Sequence, residues 1–241
     1  NSVFSGNGNP GEADYPLSIS GAESQVTLAG NRFDDHSVKR ILLSNNAMTG
    51  ADFSLPVVDG LEGYELASKF TVPAGITLTV QPGVMILGRA GTGLVVQGGL
   101  VAKAQAGKEI VFTSTANSGS AQWAGVIFSG AAASGLLDGV SLRCGGGSMP
   151  PYNDPQGSLI FSNLTPNAVR VLHAQISSSG TAGRQIFNSN VTQNTVLDGS
   201  RIFSNPGVGL RISGTSQVIL VNTAAVSNTG GGILLAHSGV Q

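Results

Sequence analysis

Cysteine is nearly missing: Cys144 is the single one among 241 residues, so an intrachain disulfide is excluded. Charge is scarce too, at 10% of residues, and aromatics make up only 5%. The formal net charge is −1 and no useful run of Lys and Arg occurs, which removes the electrostatic footprint of a nucleic-acid binder. No apolar run approaches the roughly 18 residues of a membrane-spanning helix. No window of the best-patterned stretch, 71–114, holds an apolar stripe at 3.6-residue spacing, so amphipathic helices are not expected there. The chain opens on polar Asn1-Ser2 without Met and shows no leader with an apolar core, from which we expect a mature or trimmed portion of an exported protein.

What the chain has in abundance is glycine, 35 residues of it, set between short apolar bursts. In residues 71–114 the bursts (Ile76-Leu78-Val80, Val84-Ile86, Leu94-Val96, Leu100-Ala102, Ile110-Phe112) alternate with small or polar residues, the period of strands. Between them stand Pro73-Ala74-Gly75, Gln81-Pro82-Gly83, Gly91-Thr92-Gly93 and Gln97-Gly98-Gly99, which favour tight turns. Many short strands joined this way suit a solenoid in which each strand pairs with its equivalent one coil away.

The second half carries a register that can be counted. An offset of 23 places Leu197 on Leu220, Asn205 on Asn228 and Ile212 on Leu235. An offset of 26 places Val171 on Leu197, Ile176 on Ile202, Ser179 on Asn205 and Ile186 on Ile212. A further offset of 34 takes Leu137 to Val171, the surplus being residues 145–158, whose four glycines and three prolines read as a loop protruding from one corner. Asn205 above Asn228, with Ser179 one coil before, predicts a polar ladder inside a turn. The same register brings Cys144 to Ser204, a structural thiol beside a turn. With strands about 4.8 Å apart, six or seven coils would form a rod roughly 30 Å long.

Val72-Pro73-Ala74-Gly75-Ile76 through Val84, Leu94-Val95-Val96-Gln97-Gly98-Gly99-Leu100, Ile110-Val111-Phe112-Thr113-Ser114 and Trp123-Ala124-Gly125-Val126-Ile127-Phe128 together resemble the repeating module of secreted bacterial surface and exported proteins of the pectate-lyase-like superfamily. The resemblance covers about residues 71–147. It implies an all-β, right-handed parallel β-helix and says little of activity, because that scaffold carries lyases, hydrolases, adhesins and fibres alike.

Two segments are expected. Residues 1–66 form an arm and an acidic, β-rich cap or extension, with strands over 24–28, 38–43 and 52–58; residues 67–241 form the β-helix. The first segment holds nine acids against three bases, a net of −6, and the second four acids against nine bases, a net of +5. The two should attract one another.

Chemistry-bearing residues are sparse. Asp138 and Asp198, both in Leu-Asp-Gly, fall two coils apart, roughly 10 Å, a little beyond the spacing of an inverting glycosidase. Arg201 and Arg211 flank the surface a lyase would use. These four are the carbohydrate-site candidates, although structural turns account for the aspartates. The acidic and basic signatures of the superfamily's polygalacturonases and lyases do not occur as such; Arg211-Ile212-Ser213 is a fragment of one. Asp34-Asp35-His36 reads as a solvated turn, His173 and His237 stand isolated, and Trp123 reads as corner packing. Asn163-Leu164-Thr165 and Asn190-Val191-Thr192 match the glycosylation triplet. No metal site, cofactor or catalytic residue is expected.

The functional expectation is a non-catalytic, extracellular or cell-surface structural or adhesive protein that self-associates head-to-tail, through Asp34 and Asp35 at one end and Ile233 and Leu235 at the other. A polysaccharide lyase, a glycoside hydrolase or a carbohydrate-binding module is the alternative, with extracellular glycans as partners.

Overall fold

In the computed structural model the described residues form strands of three to seven residues and no helix, and along three sheets successive strands pair in parallel from one turn to the next. The structure describes residues 2–6, 15–20, 28, 30–44, 50–150, 157–165, 168–180, 182–188, 194–214 and 217–236. The strand expected at 24–28 lies outside them apart from Leu28, as do His237 and Asn190-Val191-Thr192. No helix of the described residues is long and apolar enough to cross a membrane.

Each turn visits three faces in the same order. Face I runs from Phe53–Leu55 to Gln217–Val221 in seven strands; face II has nine, ending at Ala224–Val226; face III runs from Phe70–Val72 to Ile233–Ala236 in seven. The fold is a parallel β-helix of about seven turns. Strands form because alternate residues point inward, where like stacks on like. On face I the inward column is Leu55, Val80, Ala102, Leu137, Val171, Leu197 and Leu220. On face II it is Ile41, Tyr64, Ile86, Phe112, Leu142, Ile176, Ile202 and Ala225. On face III, Val72, Val96, Phe128 and Phe161 stack, with the two phenyl rings edge to face at 5.4 Å between centroids. These columns merge into one continuous core. The pairings Leu197 on Leu220, Val171 on Leu197, Ile176 on Ile202, Ile186 on Ile212, Ile212 on Leu235 and Leu137 on Val171 are those counted from the sequence.

Two corners are turned by single residues in left-handed conformation. Between faces I and II these are Gly139, His173, Gly199 and Asn222, with φ of 66°, 50°, 58° and 46°. Between faces II and III they are Cys144, Ser178, Ser204 and Ser227, with φ between 51° and 61°. Cys144 and Ser204 thus share a column, and the thiol is buried. Only Gly adopts this conformation freely, so six of the eight positions carry local strain that the stacked neighbours must hold in place.

Two expectations change. The sheets run across the boundary expected at residue 66. Leu17–Ile19, Arg40–Leu43 and Gly63–Leu66 are the first three strands of face II, and Phe53–Leu55 opens face I. Among the described residues the N-terminal part contributes no strand to face III; a two-stranded parallel sheet of Val3–Ser5 and Arg32–Asp34 is formed there instead, with a bridge from Arg32 to Asp59. The second change concerns residues 145–158. Met149 is buried to 1% exposure, and with Ala124 it covers Val95, Ile127 and Ile160 on the outer side of face III. These three apolar residues stack outward and need a cover, so the described part of the loop folds back on the sheet instead of protruding. The following strand begins at Gly157, inside the expected loop.

Candidate functional site

The ladder is the first polar feature that the fold organises. Just past the corner between faces II and III, the Gly145 N–H donates to Ser158 Oγ (3.1 Å), which lies 2.6 Å from Ser179 Oγ. The Ser179 N–H donates to Asn205 Oδ1 (2.9 Å), and the Asn205 N–H and Nδ2 donate to Asn228 Oδ1 (3.1 and 2.7 Å). Asn228 Nδ2 turns back to the Ile202 carbonyl. Ser179, Asn205 and Asn228 therefore stand as the register requires. Ser158, Asn205 and Asn228 each supply a side-chain acceptor for a corner N–H, and Ser179 joins the ladder through Ser158 Oγ, which is why a buried amide is tolerated.

The corner between faces I and II carries the carboxylates. Asp138, Leu172 and Asp198 occupy successive turns, so the two aspartates are two strand spacings, roughly 10 Å, apart. Asp138 Oδ1 lies 2.9 Å from His173 Nδ1, and Asp198 Oδ1 accepts a 3.4 Å hydrogen bond from Asn222 Nδ2. His173 is thus joined to Asp138 rather than isolated. An alternation of periodic strands gives no sign of this pair, because the imidazole reaches it from a corner position. Glu109, Asp138 and His173 line an open groove beside a hairpin closed between Gln105 and Lys108. Arg201 lies on face II with its guanidinium 4.6 Å from the centre of the Phe203 ring, whereas Arg211 lies on face III. The four carbohydrate-site candidates are therefore divided among three strand sets and do not converge.

A third cluster was not foreseen. Glu65, facing outward from face II yet buried, accepts hydrogen bonds from Tyr15 Oη (2.7 Å), Arg89 Nε and Arg40 Nη1 (3.1 Å). Arg89 also donates to Tyr15 Oη, and Arg40 Nε to Glu62. Burial pushes the Glu65 carboxyl up, and the hydrogen bonds from Tyr15, Arg89 and Arg40 outweigh it, so the group titrates below the usual carboxylate range. The cluster fastens the segment at Tyr15 across three successive turns.

Of the remaining readings, Trp123 is buried and its indole N–H donates to the Arg143 carbonyl at 2.9 Å, which fits corner packing. In Asp34-Asp35-His36, Asp34 pairs with Arg32 at 2.8 Å and Asp35 takes a left-handed φ of 56°. His36 is buried, 3.1 Å from the Phe4 carbonyl, and so does not belong to a solvated turn. Among the described residues no three His, Cys, Asp or Glu side chains assemble as a metal site. At the far end, Ile233 and Leu235 are 50% and 69% exposed. No family model, curated protein or solved structure matches the chain.

Proposed function

We propose that this protein is a non-catalytic, extracellular or cell-surface β-helix of structural or adhesive type, akin to exported bacterial solenoids, which associates head-to-tail. The observation that carries the reading is the use made of its polar side chains. Asn205 with Asn228, Asp138 with His173, Asp198 with Asn222, and Glu65 with Arg40 and Arg89 all join one turn to another along the axis. Such stitching favours a stiff spacer with a repeating surface. The uneven charge, −6 before residue 67 and +5 after it, supports attraction between unlike ends of neighbouring copies. Sedimentation velocity across protein and salt concentration, with electron microscopy of the same samples, tests it. Concentration-dependent rods that shorten at high salt are expected; a monomer at every concentration refutes it.

A second reading, contact with extracellular glycans, is favoured by the groove at Glu109, Asp138 and His173. A glycan array and a turnover screen on acidic polysaccharides separate it from the first: retention without product means binding, and product means an enzyme.

A further inference from the structure

We infer that the groove at the corner between faces I and II, from the hairpin at Gln105 and Lys108 across His173 to Asp198, binds an extended, neutral, β-linked glycan lying along the axis. The inference rests on the glycan-contact reading above and names the ligand class and the residues that hold it. The corner residue is the first sign. Gly139 and Gly199 take the left-handed turn freely on either side, yet the turn between them uses His173 at φ 50°. A side chain kept there against the preference of the backbone is a mark of use. The Asp138 carboxylate engages Nδ1 at 2.9 Å, and the exposed imidazole is left with Nε2 unpartnered among the described residues. With Nδ1 donating, the neutral ring offers Nε2 as an acceptor, and Glu109 supplies carboxylate oxygens in the same groove. Gly139 keeps the groove open, since a Cβ there would stand 3.2 Å from the Ala104 Cβ.

The second sign is a repeat. Asp138 meets His173 one turn on, and Asp198 meets Asn222 one turn on. A carboxylate joined to a corner side chain thus recurs after two turns, roughly 10 Å. Between the two aspartates the same column carries Leu172, apolar and half-buried. An extended β-linked glycan turns successive sugars to opposite sides and repeats every second sugar, over a length close to two strand spacings. Alternate sugars therefore set hydroxyl groups on the two pairs, while the C–H face of the sugar between them lies on Leu172. Charge selects within this class. No Lys or Arg is among the described residues that line the groove, so an acidic polysaccharide meets Glu109 and Asp138 without a counter-ion there. Lys103, the register partner of Asp138, and Lys108 of the hairpin balance those two carboxylates nearby, which leaves little field to hold a polycation.

The test titrates the full chain by calorimetry with β-1,4-linked oligomers of glucose, xylose and mannose, from dimer to hexamer, and with hexamers of galacturonic acid and glucosamine as charged controls. A neutral series should bind, with affinity that rises with length and is indifferent to salt. His173→Gly gives the corner the residue of its neighbours in the column. It should leave the circular dichroism unchanged and weaken binding about tenfold. Glu109→Gln, which breaks no bond between turns, should weaken it about three- to tenfold and decides the matter alone if His173→Gly fails to fold. Asp198→Ala should flatten the rise with length. If no oligomer of any charge binds, the glycan-contact reading falls together with the inference. Binding that both groove variants leave at wild-type affinity keeps that reading and overturns the groove. A preference for either charged hexamer that fades with salt overturns the neutral class, and affinity indifferent to length overturns the placement along the axis.

Discussion

Replacing Glu65 by Gln removes the one anion shared by Arg40, Arg89 and Tyr15. Breaking a buried ion pair from one side costs about 3–5 kcal/mol when the orphaned charge stays dry. Here the orphans are partly wet, since the Arg40 and Arg89 side chains are 25% and 40% exposed and Arg40 keeps Glu62. We therefore expect a loss of about 2–3 kcal/mol, which for a domain of this size lowers Tm by roughly 4–12 °C. The pH dependence follows from the direction of the shift. A carboxyl lowered in the folded state from its unfolded value of 4.5 contributes fully above that pH, and its contribution disappears as the pH falls through the lowered folded value. The gap in Tm between wild type and Glu65→Gln should thus be constant from about pH 5.5 to 7 and close on acidification. Scanning calorimetry at a series of pH values measures it, and hydrogen exchange at Leu17–Ile19 locates it. A gap that is missing at neutral pH, or indifferent to acid, would refute the account of Glu65 as the fastening of the N-terminal turns.

Asn205→Leu strands the buried Ser179 N–H and should cost about 1–3 kcal/mol, read from the denaturation midpoint; an unchanged midpoint would mean that the ladder is ornamental. Gly199→Ala should cost about 1–3 kcal/mol, because φ there is 58° and the new Cβ would stand 2.7 Å from His173 Cδ2. The double variant with His173→Ala recovers the steric share, and additive losses would contradict the contact. Gly88→Ala places a Cβ 2.4 Å from the Trp123 ring and should disturb packing by about 1–3 kcal/mol; the shift in emission of this sole tryptophan reports it. Met149→Ala uncovers Val95, Ile127 and Ile160, so proteolysis within 145–156 should accelerate several-fold, and an unaltered rate would show that Met149 is not the anchor.

The core columns and the ladder could be read from the sequence because a solenoid writes its three-dimensional contacts as a spacing. When Leu197 must lie on Leu220, the chain has to repeat, and counting recovers the contact. The same period runs through residues 41–66 of the N-terminal segment: Ile41 lies on Tyr64 and Tyr64 on Ile86, offsets of 23 and 22. It is hard to see there because Tyr64-Glu65 breaks the aliphatic pattern, and because the described residues of that segment place no strand on face III to mark the turns. Features that break the repeat are illegible by counting. Tyr15 meets Glu65 across 50 residues, Met149 meets Val95 from an irregular loop, and His173 occupies a corner where its neighbours along the axis are Gly139 and Gly199.

That division has a physical meaning. A position that repeats satisfies stacking, and any turn would do as well; a position that departs from its column does so against the local preference of the backbone or the sheet. His173 accepts a left-handed backbone where glycine would be free, and Glu65 accepts burial where its column offers Leu42 and Leu87. In both cases the departure is compensated by a bond to another turn, so the irregular residues fix which turns lie together while the regular ones supply the cohesion between them.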